Sequence, residues 1–458
     1  MKWRGWAALA GVGTVLVSGL GFLGREQTPA AGRPPAFVDP CAATRPAPAR
    51  TVKKLPASVR LAGKPGRIIS ATMTESVLLL NTGVPLEQGP HPKWLIGLDP
   101  QTLATRWRWR FPELPGPVTI GMGEDPWATL AGDVVLTVSG IRFAGDQPVL
   151  RAVDLASGRV RWSERFPAGA QPVVVAADRC MVVVNAQAGN GTLGLWGLDP
   201  ATGRVRWQNS PAEELLCTVP ARPWLYGWSG GHLVRFSLAD GSVTAVRSPT
   251  SDCGPVVLPG GQVVDSGTGR WYTIDWSRPA LTPTDREPVR IEPDTYPQFT
   301  TVGDVLVVDD HGKAAVHDHD GTLLWQDDGT GRGYLVPAVG QPGDRLFFRT
   351  RSPFTEKKRT VSLTAVQART GRTLWKSAAW PGNDEYPIVD PRTGTVLVHV
   401  TTTRQVNPEQ FEVEASHLYA LNGDDGHPLW DVEGDGFRVA GPWLLVERDG
   451  AVRGFRMS

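Results

Sequence analysis

Five residues within one short stretch invite a metal reading: His311, His317, Asp318, His319 and Asp320. Imidazole and carboxylate groups are the ordinary ligands of zinc and related cations. The spacing argues for something simpler. His317 and His319 lie on one side of a short strand end, and Asp320-Gly321 is a turn dipeptide, so a solvated turn is expected there. Asp309 and Asp310 read in the same way, as a hairpin end. The serines, histidines and aspartates elsewhere are scattered, with neither a nucleophile elbow nor a phosphate loop. No catalytic, cofactor-binding or metal-ligating residue is therefore assigned, and the chain is not expected to be an enzyme. The thiols are Cys41, Cys180, Cys217 and Cys253. Four cysteines allow three full pairings, which sequence cannot decide. Cys217 and Cys253 stand at similar places in successive units and are the candidate disulfide.

The elements that must position these residues come from a repeat. An apolar alternation leads to Asp, then to Thr/Ser-Gly, then to Trp four residues after the Gly. Asp154, Ser157, Gly158 and Trp162 form one copy; Asp199, Thr202, Gly203 and Trp207 form another. Asp99 to Trp107 is a copy with Leu103 in place of the Gly. Gly371 with Trp375 and Gly426 with Trp430 are later copies, and Gly321 with Trp325 closes one that is a residue shorter. The alternation predicts a strand with one buried face. The Asp carboxylate accepts N–H groups of the turn, and the Gly supplies positive φ without steric cost. The fixed offset places each Trp on an equivalent side of an equivalent strand. Trp107, Trp162, Trp207, Trp325, Trp375 and Trp430 are thus predicted to be docking residues buried between neighbouring units.

Two further hairpins keep the period but have Ala245 and Pro283 at the Trp place. Markers at 107, 162, 207, 245, 283, 325, 375 and 430 then step by 38 to 55 residues. A four-stranded antiparallel unit needs roughly 40 to 45 residues. The expectation is an all-β propeller of eight blades, with seven as the alternative. Strands after Trp430 are expected to close the ring by pairing with one near Val52 to Leu61, an arithmetic that also allows nine units.

The motif resembles that of the quinoprotein-like, or PQQ-like repeat, propeller family, whose repeats carry Ala-x-Asp-x-x-Thr-Gly-x-x-x-Trp. The resemblance covers roughly residues 60 to 458 and implies an eight-bladed fold with each Trp docked between blades. The family includes pyrroloquinoline quinone dehydrogenases, which stack the quinone on a ring of adjacent cysteines beside calcium, and non-enzymatic lipoprotein-type propellers of outer-membrane assembly. No two cysteines are adjacent here, so the resemblance points to the non-enzymatic members and to no cofactor.

Composition limits the partners. The formal net charge is +1, and without Lys2, Arg4 and Arg25 there remain 44 basic against 46 acidic residues, so nucleic acid is not expected. Trp6 to Gly24 carries no charge and follows Lys2 and Arg4; its length suits a bilayer core and its flanking charges place the remainder outside. Residues 1–25 are read as a membrane anchor or signal segment, 26–56 as a Pro/Ala-rich linker and 57–458 as the propeller. The Arg-over-Lys bias resembles that of high-GC bacteria. A monomeric, extracytoplasmic scaffold for an envelope protein is expected, with ligand sensing as the alternative and quinone-dependent dehydrogenation as a further one. Its variable loops are expected at Pro85 to Lys93, Gly140 to Pro148, Phe354 to Arg359 and Arg404 to Glu414.

Overall fold

Period-2 alternation gives each strand two faces, and both faces are covered when strands stack as radial sheets. A computed structural model describes residues 58–61, 67–86, 89–111, 128–139, 147–188, 191–209, 216–221, 223–229, 231–247, 255–258, 262–265, 268–286, 288–289, 298–310, 313–318, 320–327, 334–336, 344–351, 360–384, 388–389, 394–407 and 410–457. These residues form nine antiparallel sheets, each a four-stranded meander, with one extra short strand on the seventh and on the eighth.

Blade 1 runs from Arg67–Met73 to Thr105–Arg110, blade 2 from Thr129–Ala131 to Val160–Arg165, and blade 3 from Gln171–Ala177 to Val205–Asn209. Blade 4 runs from Leu216–Ala221 to Val243–Arg247, blade 5 from Pro255–Leu258 to Ala280–Pro283, and blade 6 from Gln298–Val302 to Leu323–Asp327. Blade 7 runs from Tyr334–Val336 to Thr373–Lys376, and blade 8 from Asn383–Asp384 to Pro428–Glu433. Blade 9 joins Gly436–Ala440, Trp443–Arg448 and Ala451–Arg456 to Val59–Arg60, which supplies its fourth strand from the other end of the chain.

The core is divided accordingly. Each seam between adjacent blades has its own apolar cluster. Val77, Leu79 and Trp107 meet Val135 and Val153 between blades 1 and 2, and Ile68, Leu78 and Leu103 meet Trp443 and Leu445 between blades 1 and 9. The last seam closes the ring and has polar reinforcement. Within blade 9 Leu61 N–H donates to Val452 O at 2.9 Å, extending the pairing of the two ends of the chain, and across the seam Arg438 Nε donates to Ile69 O at 3.0 Å. Ile68 N–H donates to Glu447 Oε2 at 3.0 Å. Burial pushes the Glu447 carboxyl above the usual carboxylate range, against the pull of the Ile68 N–H and of Arg67 and Arg438.

The expectation of eight blades, or seven, is corrected to nine. The marker counts hairpins between third and fourth strands. In blade 9 those strands come from opposite ends of the chain, so no hairpin joins them and no marker can exist. The segment 1–57, with the expected anchor and linker, lies outside the described residues. Among those residues no helix is long and apolar enough to cross a membrane.

Two of the expected loops are not loops. Pro85 to Lys93 continues the strands Leu78–Leu86 and Gly89–Leu98. Arg404 to Glu414 is the end of a hairpin built from Thr395–Asn407 and Gln410–Asn422, each 13 residues long. The outer strand of blade 8 pairs only with His417 to Leu421, so the hairpin continues beyond its own sheet. Residues 140–146 and 352–359, the centres of the other two expected loops, are outside the described residues.

Candidate functional site: the docking hairpins

Each repeat turn is built by its Asp and Gly. Asp154 Oδ1 accepts the N–H and the hydroxyl of Ser157, both at 2.8 Å. Asp199 Oδ1 accepts the N–H groups of Ala201 and Thr202 at 2.9 and 3.0 Å. Gly158, Gly203, Gly321, Gly371 and Gly426 all take φ between 68° and 80°, where a Cβ would be strained. Leu103 adopts the same conformation, at φ 60°, with its side chain buried.

The glycines also carry a second constraint. A Cβ on Gly158 would lie 2.6 Å from the Trp107 ring, one on Gly203 2.6 Å from Trp162, and one on Gly426 2.6 Å from Trp375. The indoles of blades 1, 2, 3, 6 and 7 thus rest on the turn glycine of the next blade. Each indole N–H donates to the carbonyl just after the Asp position. Trp107 bonds Leu155 O at 2.7 Å, Trp162 bonds Pro200 O at 2.8 Å, and Trp207 bonds Leu238 O at 3.2 Å. Trp325 bonds Ala368 O at 2.7 Å, and Trp375 bonds Gly423 O at 2.8 Å. Trp107, Trp207 and Trp375 are buried; Trp162, Trp325 and Trp430 are half-buried. Trp430 packs among Leu397, Phe437 and Leu444 at the seam of blades 8 and 9.

Three features escaped the sequence reading. The arginine before the Trp pairs with the motif Asp seven residues back: Arg106 with Asp99 at 2.6 Å, Arg161 with Asp154, and Arg206 with Asp199. Arg106 and the turn N–H groups hold the Asp99 carboxyl far below the usual range, and Arg206 lowers that of Asp199. Burial works against Asp154, yet Arg161 and Ser157 still bring it down. The signal was present as successive Arg-Trp pairs. Second, Trp443 donates to Pro100 O at 2.8 Å from the second strand of blade 9, whose short outer strand has no tryptophan. Third, Trp271 lies against the Gly321 turn, 2.9 Å from where a Cβ would stand. Its own turn is a displaced copy of the motif: Gly269 N–H donates to Asp265 O at 2.7 Å, and Trp271 follows the Gly by two.

The structure places Asp318 and Asp320 at the repeat turn of blade 6, whereas His317 is buried on the strand Lys313–Asp318, which corrects the expected solvated position. Asp318 Oδ1 accepts the N–H groups of Asp320 and Thr322 at 3.0 and 2.9 Å, and the His317 ring lies 3.2 Å from Gly321 O. His311 and His319 are outside the described residues. No group of three His, Cys, Asp or Glu able to hold a metal occurs among the described residues. Cys180 is disulfide-bonded, but its partner, the side chain of Cys217 and the whole of Cys253 lie outside them. A pyrroloquinoline quinone does not fit as the family's dehydrogenases hold it, because no two cysteines are adjacent.

The docking tryptophans are distributed around the ring and do not converge on one pocket. Among solved structures, BamB from Moraxella catarrhalis is 13% identical over 88% of this chain and 99% of its own, with a TM-score of 0.41. The quinohemoprotein alcohol dehydrogenase from Comamonas testosteroni is 11% identical over 88% of this chain and 76% of its own, with a TM-score of 0.42. No curated protein sequence matches the chain. The family model described as outer membrane protein assembly factor BamB matches residues 93–253 and 309–450. That match spans well over half of the sequence and falls on the hairpins just described; the chain belongs to this family of PQQ-like β-propellers.

Proposed function

We propose that the chain is a non-catalytic, extracytoplasmic propeller that binds a protein partner at the cell envelope, as a scaffold or assembly factor. The observation that carries this reading is the use of the motif residues. Five tryptophans of the repeat have their N–H bonded to a neighbouring blade, so the most reactive-looking sequence signal is absorbed by the frame. In this reading all of the repeat tryptophans and turn glycines are structural. The family description, an outer membrane protein assembly factor, supports a partner-binding role. The disulfide at Cys180 supports an oxidising compartment, and the apolar segment within residues 1–25 supports attachment there, with 26–56 as spacer and 57–458 as the exported body.

A meander places the third-to-fourth-strand turns at one end of the ring and the second-to-third-strand hairpins at the other. Docking occupies the first set in the blades that keep the repeat, and blade 5 alone among the described turns carries its motif copy between the second and third strands. The second set is free to vary, and the blade 8 hairpin of two 13-residue strands is its largest departure from the repeat. We assign the partner surface to that end. Protease added to intact protoplasts should digest the propeller; full protection would refute the extracytoplasmic assignment. Dye-linked alcohol oxidation after addition of pyrroloquinoline quinone and calcium would refute the non-catalytic one.

A further inference from the structure

The seam between blades 4 and 5 departs from the docking rule. Ahead of each repeat tryptophan, the third and fourth strands shift register, as between Gly197 and Leu198, and the indole then lies opposite Gly97, Ala152, Gly197, Val316, Ala365 or Ala420. Blade 4 has no such shift. Ala245 lies opposite Val234, on the face turned to blade 3. The position four before the turn glycine Gly241 is Ser237, so the residue equivalent to Gly197 is Arg235.

Arg235 fills the space left by the missing tryptophan. Its guanidinium carbon stands 4.1 Å from the Trp224 ring centroid and 4.5 Å from that of Trp276 on blade 5. Tyr226, opposite Arg235 in the ladder, has its ring 5.7 Å from that of Trp276. All four side chains are only half-buried, so the stack opens to solvent at its edge. Both indoles stand within cation–π reach of the guanidinium and stabilise it there. They use none of its five N–H donors, which lie in the guanidinium plane. Nε is buried without a hydrogen bond, and among the described residues the guanidinium has no ion pair. A guanidinium stacked against two indoles, with unused in-plane donors, matches one chemistry well, the planar bidentate carboxylate.

We propose that the blade 4–5 seam is a carboxylate-binding site, with Arg235 as the ligating residue and Trp224 and Trp276 as the walls that fix its plane. The carboxylate is either a free organic acid or an acidic side chain of a peptide. This site does not depend on the scaffold reading; the source of its carboxylate instead bears on whether the propeller senses a small molecule or grips a protein.

Tryptophan emission of the full chain, in detergent at low ionic strength, reads the site because two indoles touch the cation. It is titrated with glutarate, with a blocked glutamate-rich peptide, and with chloride at matched ionic strength. Saturable change with a carboxylate probe beyond the chloride response is expected. Saturation with the peptide alone assigns an acidic segment; saturation with glutarate as well assigns a free acid. Arg235→Lys keeps the charge and removes the planar fork, and should weaken binding about tenfold, the size of one charge-assisted hydrogen bond. If that variant melts early, Trp276→Phe replaces it, and its emission response should shrink. Absence of saturation with both carboxylate probes, or equal affinity in Arg235→Lys with an unchanged melting temperature, would overturn the proposal.

Discussion

Gly203 illustrates how much one repeat residue is asked to do. It holds φ at 72° and lies under the Trp162 ring. Gly231 has nearly the same φ, 75°, but nothing within 4 Å of its would-be Cβ. Alanine at Gly231 should cost only the backbone term, about 1–2 kcal/mol. Alanine at Gly203 adds the displacement of a packed indole and should cost clearly more. Denaturant unfolding of the two variants side by side checks this, and equal losses would separate the glycine from the docking contact. On the other side of such a contact, Trp207→Ala removes a buried aromatic with a bonded N–H and should cost about 3–5 kcal/mol. Because adjacent blades share the seam, both should loosen; a Trp207→Ala protein with wild-type unfolding would refute the structural role. The Asp, Gly and Trp positions were legible in sequence because their spacings agree across copies. The approach of the indole to the glycine was not, because it joins residues of different blades.

At the scale of the element, the ring-closing seam is the most informative. Its fourth strand was anticipated near Leu61, yet the blade count fell short, since a blade split between the chain ends has no hairpin to announce it. Trp443 and Trp271 were missed for a related reason: each fills the docking place from a different strand, so their spacing breaks the pattern. Arg235 was hidden by a register shift that is absent, which only the ladder reveals. Glu447 gives this seam a testable pH dependence. Its folded value is raised, so the folded state holds the proton more tightly than the unfolded chain. That contribution is fully present below the unfolded value, near 4.3, and is lost as pH rises through the folded value. Glu447→Gln keeps an acceptor for Ile68 N–H and removes the buried charge, so it should raise the unfolding midpoint at neutral pH and lose that advantage in acid. Glu447→Ala should instead lower the unfolding free energy by about 1–3 kcal/mol, by leaving Ile68 N–H unpaired. A Gln variant that is less stable than wild type at neutral pH would mean that the carboxylate is stabilising.

For the whole molecule, the division between the two ends of the ring carries the functional argument. One end is committed to docking, with turns held by Asp, Gly and the neighbouring indole. The other carries hairpins whose lengths differ between blades, and the blade 8 hairpin reaches beyond its own outer strand. Sequence reading located this segment by the wide interval before Trp430 but took it for a loop, because spacing reports added length and not its conformation. The direct measurement is site-specific photocrosslinking in intact cells from the whole chain, with the probe at Gln405 in the blade 8 hairpin and, for comparison, at the exposed Ala201 in a docking turn. The account predicts a discrete protein adduct from Gln405 and none from Ala201. An adduct from Ala201 alone, or no protein adduct from either position, would contradict it.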